Sequence, residues 1–255
     1  MLTTLSNKNI LTKLRMRRVN ISAVGFEIDR VVLPAIELKA DKIWLITHNN
    51  KSDDKGFEFV NKIKERLTEV KIEVEEENAD RKDLFDTLRA FRSIVGKEQG
   101  NEIIVNVSTG SKIQSIAFMM GCMMFKDFGR IKPYYAEPDK YMTTSHEQET
   151  IGLKDIVLLP DYKIEIPKQN LIKCMVLIDK QKNGKVTKKN LKDLALKKNL
   201  IHVGEKKTET AAYMALKNLI EPLQNWNFIE IEKKGTSNIV SLSQEGKNAL
   251  QFLNP

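Results

Sequence analysis

The feature that most restricts the fold is an alternation that runs through the first 137 positions. Short apolar runs at 18–25 (RVNISAVG), 42–47 (KIWLIT), 70–76 (VKIEVEE), 102–107 (EIIVNV) and 130–137 (RIKPYYAE) read as strands. Between them, segments 27–40, 56–69, 83–95 and 113–127 carry apolar residues at helical spacing, in the first case Ile28, Val31, Val32, Ala35 and Ile36. A strand that is apolar on both faces must be covered on both sides, and helices alternating with such strands supply the cover. The pattern predicts an α/β fold with a Rossmann-like parallel sheet and helices on both faces. In sheets of this kind a ligand sits beyond the carboxyl ends of the strands, where the strand order reverses.

Past residue 157 the pattern changes. Segment 158–168 contains Pro160 and Pro167 between polar breaks and reads as a linker. Helical stretches follow at 170–181, 187–198 and 208–226, with Thr187 placed to cap the second. Two short strands within 228–243 surround a turn containing Gly235 and Asn238, and 244–253 closes the chain. Three helices followed by a hairpin form the pattern of a winged helix-turn-helix. The expected organisation is a ligand-sensing domain at 1–157, the linker at 158–168 and a winged helix-turn-helix domain at 169–255.

Charge separates the two parts. Of the net charge of +8, residues 161–255 contribute +7, with 17 lysines, no arginine and 10 acidic residues. Positive charge concentrated in one module points to a polyanionic partner. The chain has no uncharged apolar run long enough to span a bilayer, and its first residues lack the apolar core of a secretory signal, so a cytoplasmic protein without a membrane partner is expected. Cys122 and Cys174 both lie in apolar segments and are expected to be buried thiols. His48, His146 and His202 are far apart, and no metal site is expected.

Two loops carry the candidate chemistry. The fourth strand runs into Ser108-Thr109-Gly110-Ser111-Lys112 and then into the helix beginning IQSIAFMM. A helix N-terminus carries partial positive charge and unpaired N–H groups, so Lys112 there is unfavourable unless an anion joins it. Ser108, Thr109 and Ser111 offer hydroxyls, and together with the N–H groups and Lys112 they read as a phosphate seat. The loop is not a Walker A loop, because no glycine stands five positions before Gly110. The first loop, VGFEID from Val24, is not a dinucleotide fingerprint, because Gly25 has no second glycine two positions on. No nicotinamide or other cofactor is expected.

The pair AVGFEIDRVV and NVSTGSKIQSIA resembles the paired motifs of CRISPR-associated Rossmann fold (CARF) domains, and the domain order resembles archaeal CARF proteins with a C-terminal winged helix, thought to be transcription regulators. Here Thr109-Gly110 runs directly to Ser111-Lys112, one residue shorter than the family's usual Thr-Gly-Gly-Thr-Lys. The resemblance implies a homodimer that binds cyclic oligoadenylate, a second messenger of type III CRISPR defence, across its two-fold axis, with cyclic tetra-adenylate the expected ring. Some CARF domains also cut the ring slowly, and Lys112 matches the lysine they use near the phosphate. In such a dimer two copies of Lys112 and of the Gly25 loop would meet at one groove. Phe26 would pack on an adenine, and Glu27 or Arg30 would touch ribose or base. The Met119, Met120, Met123 and Met124 cluster reads as core or dimer contact.

In the basic module the third helix is the expected recognition helix, with Ala212, Ala215, Leu216, Leu219 and Leu223 inward. Thr210, Tyr213, Lys217 and the preceding Lys206 and Lys207 face outward, and Lys233 and Lys234 lie at the wing tip. These are the expected contacts to double-stranded DNA. Lysines suit phosphates, whereas bidentate reading of guanine favours the arginine that this module lacks. The favoured reading is a ligand-gated, DNA-binding regulator. Its alternatives are a slow ring nuclease whose winged helix is an RNA-binding or structural module, and a mononucleotide-binding protein.

Overall fold

The computed structural model describes residues 16–49, 56–142, 148–203 and 208–254. The chain divides into two compact units, residues 1–164 and 165–255.

The first unit is built on a six-stranded sheet. Its strands are β1 (Arg18–Ala23), β2 (Lys42–Thr47), β3 (Glu73–Asn78), β4 (Glu102–Asn106), β5 (Arg130–Glu137) and β8 (Asp155–Leu158), in the order β3-β2-β1-β4-β5-β8. The first five run parallel, and β8 is antiparallel to β5. A small hairpin, β6 (Lys140–Tyr141) with β7 (Thr150–Ile151), follows β5. The expected α/β class is therefore found, with two additions. The hairpin and the antiparallel edge strand are too short to show a period in sequence and form only because distant residues present partners.

Helices α1 (Asp29–Glu37), α2 (Phe57–Glu69), α3 (Leu84–Lys97) and α4 (Lys112–Met124) cover the sheet. Val31, Val32 and Ala35 of α1 pack with Ile43 and Leu45 of β2 and with Val60, Ile63 and Leu67 of α2. Elsewhere Phe91 of α3 packs its ring against Phe118 of α4 and Phe125, with centroids 5.8 and 6.2 Å apart. A methyl at Gly121 would lie 2.6 Å from the Phe91 ring, so this helix approach requires glycine there. Strand β3 begins three residues later than the apolar run suggested. Lys71 takes a φ of 61° and the amide of Ile72 bonds back to Leu67 at 3.0 Å, so residues 70–72 close helix α2 in a Schellman turn instead of opening the strand.

Segment 158–168 is tied to the first unit over much of its length. Leu158 pairs with Tyr134, and the amides of Leu159 and Ile164 donate to Pro133 and Met123 at 3.1 Å. Lys126 reaches Asp161 at 2.8 Å.

The second unit contains α5 (Gln169–Asp179), β9 (Lys185–Thr187), α6 (Lys188–Lys197), α7 (Glu209–Asn225), β10 (Ile229–Lys234), β11 (Ser237–Leu242) and α8 (Gln244–Leu253). Its sheet has the order β10-β11-β9, the arrangement of a winged helix domain. Thr187 caps α6 as expected, accepting from the amide of Asn190 at 3.1 Å. Ala212, Leu216, Leu219, Ile220 and Leu223 form the buried stripe of α7. Cys122 and Cys174 are buried thiols, and burial pushes the Cys174 thiol up to about 12. No helix of the described residues is long and apolar enough to cross a membrane, and they bring together no cluster of metal-ligating side chains.

Candidate functional site

The chain runs from β1 outward to β2 and β3, then crosses to the other side of β1 as β4 and β5. The strand order therefore reverses between β1 and β4, and the loops leaving these two strands carry Gly25 and Gly110. They touch. A Cβ on Gly25 would lie 3.2 Å from both the Cα and the amide nitrogen of Gly110. Gly110 has a φ of 79°, a left-handed backbone, and a Cβ there would stand 2.5 Å from that of Ala23. The two loops meet backbone to backbone because neither residue carries a side chain.

Asn106, the last residue of β4, organises the second loop. Its side-chain oxygen accepts from the amide of Ser108 at 3.0 Å and from the Ser108 hydroxyl. Its side-chain amide donates to the carbonyl of Arg30 at 2.7 Å. That carbonyl is available because Pro34, four residues on inside α1, has no N–H to give it. The proline therefore creates the acceptor that couples α1 to the end of β4.

The three hydroxyls read as ligand donors are each engaged within the protein. Besides its bond to Asn106, Ser108 accepts from the amide of Ala136 at 3.1 Å. Thr109 is buried and donates to the carbonyl of Ala23 at 2.8 Å, tying the two loops together. Ser111 donates to the Arg81 carbonyl at 2.6 Å and caps α4 by accepting from the Gln114 amide at 3.1 Å, in a capping box with the Gln114 side chain. Groups inside a tightly folded loop satisfy one another first. What faces outward is Lys112, exposed and without an ion pair among the described residues, beside a first helical turn whose amides at Lys112 and Ile113 have no acceptor there.

Glu27 and Arg30 are turned inward. Both are 5% exposed, and the Arg30 guanidinium donates to Glu27 at 3.2 Å and to the Ala136 carbonyl at 2.9 Å, over the ring of Tyr135. Burial pushes the Glu27 carboxyl up, against the lowering effect of Thr150 and Arg30. Phe26 is half-buried, edge-on to Phe59 with centroids 5.6 Å apart.

Sequence reasoning did not single out Gln148 or Asn106. The Gln148 side-chain oxygen accepts from the amides of Ile28 and Asp29 at 2.9 and 3.1 Å, capping the start of α1 from 120 positions away. Asp29 accepts from the Gly152 amide at 2.9 Å and from Arg66 at 2.6 Å. Burial works against the Asp29 carboxylate, but these donors outweigh it and hold the group below the usual range. Only Asn106 left a signal, as an amide inside an apolar strand.

In the second unit Thr210 is exposed on α7, and Tyr213 is half-buried with the Lys192 ammonium 4.7 Å from its ring centre. Lys217 pairs with Glu221 at 3.2 Å. Lys233 and Lys234 end β10 at the wing tip, where Gly235, with a φ of 59°, and Thr236 make the turn. Lys234 stands 3.8 Å from Glu232. Lys206 and Lys207 lie outside the described residues.

Fold and site together define a Rossmann-type α/β unit with an open helix N-terminus at its switch point, joined to a winged helix domain. Residues 18–141 match the family model described as HFX_2341_N:-like, N-terminal, and residues 170–254 match the DUF6293 C-terminal winged helix domain. The uncharacterized protein MJ1513 of Methanocaldococcus jannaschii is 29% identical over 208 residues, covering 72% of this chain and 62% of that protein. Among solved structures, Can2 from Sulfobacillus thermosulfidooxidans in complex with cyclic tetra-adenylate is 15% identical at a TM-score of 0.41, over 92% of this chain and 63% of that one. Enterococcus italicus Csm6 bound to cyclic hexa-2'-fluoro-hexa-dAMP is 11% identical at a TM-score of 0.42, over 84% and 57%. The chain thus spans about three fifths of the length of these relatives.

Proposed function

We propose that the first unit senses a cyclic oligoadenylate, cyclic tetra-adenylate in the first instance, and that the winged helix domain binds double-stranded DNA as a transcriptional regulator. The observation that carries the reading is the reversal of strand order between β1 and β4, with Gly25 against Gly110 and Lys112, without an ion pair among the described residues, at the start of α4. A switch point lined by close-packed backbone with an exposed lysine beside it suits a phosphodiester, whose charge answers both Lys112 and the helix dipole. A two-fold symmetric ring would be held by two copies of this loop in a homodimer. The lysine-rich second domain suits a polyanion.

Calorimetry against cyclic tri-, tetra- and hexa-adenylate, with linear tetra-adenylate as control and promoter-region duplex DNA as a second titrant, tests both halves. The expected result is tight binding of one ring size and weak binding of the linear form. Tight binding of a linear nucleotide with no response to any ring would refute the sensing reading.

A further inference from the structure

Among the described residues of the second unit Lys192, Lys217 and Lys234 are ion-paired, whereas Lys188 and Lys189, two of the lysines that are not, line one cavity. On the outward side of α7, Lys217 is taken up by Glu221, and Met214 is 59% exposed, so this face holds little free positive charge. Between the start of α6, the flank of α7 and the wing lies a cavity of about 540 Å³ lined by Thr187, Lys188, Lys189, Tyr213, Ser237 and Asn238. Neither Lys188 nor Lys189 has an acidic partner among the described residues. The cavity exists because β9 pairs with β11, setting Thr187 opposite Ile239 and so bringing the first turn of α6 beside the wing residues 237–238. Its lining side chains bring ammonium, hydroxyl and amide groups together, the donors that a phosphate accepts from.

We propose that this cavity is the main seat for a backbone phosphate of duplex DNA, with Lys188 and Lys189 as its charge and Tyr213, Ser237 and Asn238 as neutral donors. The proposal rests on the reading of this domain as a DNA binder. It assigns the main anchoring role to the start of α6 with wing residues 237–238, whereas the sequence reading placed the contacts on α7, its lead-in and the wing tip at Lys233 and Lys234. Phosphate contacts fix register and orientation without reading sequence, so this seat would set how α7 meets the groove.

The test measures binding of the full-length protein to several unrelated duplexes across a salt series. The comparison is wild type against Lys188→Gln/Lys189→Gln and, at an exposed lysine of α8 outside the cavity, Lys247→Gln, with melting curves confirming that each variant is folded. Each lost lysine–phosphate contact lowers the log–log salt slope by about 1, so the double variant should lose about 2 and bind roughly ten-fold more weakly on every duplex. The Lys247 variant should change little. If wild type binds duplex DNA and the double variant keeps its affinity and slope, the cavity is not the seat, although DNA binding stands. If wild type binds no duplex, or prefers duplex RNA, both this assignment and the DNA-binding reading fail.

Discussion

The side-chain amide of Asn106 donates at 2.7 Å to the carbonyl of Arg30, the one that Pro34 leaves without its helical donor. Asn106 is fully buried. Removing a buried partner leaves its acceptor dry and unpaired, at a cost of about 1–3 kcal/mol. Asn106→Ala should lower unfolding stability in urea by that amount. It should also loosen the Ser108 loop, seen as faster amide exchange at residues 107–110.

Gly110→Ala should be more damaging than Gly25→Ala. The first combines a left-handed backbone with a 2.5 Å approach to the Ala23 Cβ, whereas the second meets Gly110 at 3.2 Å and needs only a small shift. A strained backbone position of this kind costs roughly 1–3 kcal/mol. Denaturation midpoints of the two variants check the order, and equal midpoints would contradict the backbone contact.

Lys112→Ala should stabilise the free protein slightly and weaken binding of cyclic tetra-adenylate at least several-fold. A cation at a helix N-terminus opposes the macrodipole by about 0.3–1 kcal/mol, and Lys112 has no compensating ion pair among the described residues. Paired melting and calorimetry experiments separate the effects. Unchanged affinity would remove Lys112 from the site.

The Asp29 carboxyl is held below its ordinary value, by the Gly152 amide and Arg66 against the opposing effect of burial. A group lowered in this way contributes stability that is present above its unfolded value, and it loses that contribution as pH falls through the folded one. Asp29→Asn should therefore destabilise the protein at pH 7, and the gap to wild type should close as pH falls below the ordinary carboxylate range. A gap that stays constant with pH would point to lost packing instead.

Ligand and DNA should affect each other's binding by one common factor, since coupling free energy is reciprocal. Leu159 and Ile164 are bonded to the first unit, so only residues 165–168 intervene before α5. A connection that short, containing Pro167, suits transmission better than a long tether would. We expect roughly 5- to 100-fold. Superimposable isotherms of each ligand with and without the other would rule out gating.

The sequence by itself determined the parts. Helical and strand periods, the Thr187 cap and the closing order of helices and hairpin are local properties, set by residues a few positions apart, and they were legible as far as the α/β class and the winged helix. The placement of Lys112 at a helix N-terminus was legible for the same reason, because a lysine set against a helix dipole is a local conflict. Only the tertiary structure decided which strands are neighbours, that Gly25 lies on Gly110, that Asn106 finds Arg30 and that Gln148 caps α1 from 120 positions away. It also decided that the hydroxyls of Ser108, Thr109 and Ser111 are spent on Ala136, Ala23 and Arg81. A polar side chain bonds whatever the fold brings within about 3 Å, and that partner is set by register and packing across the whole unit, which no local pattern encodes.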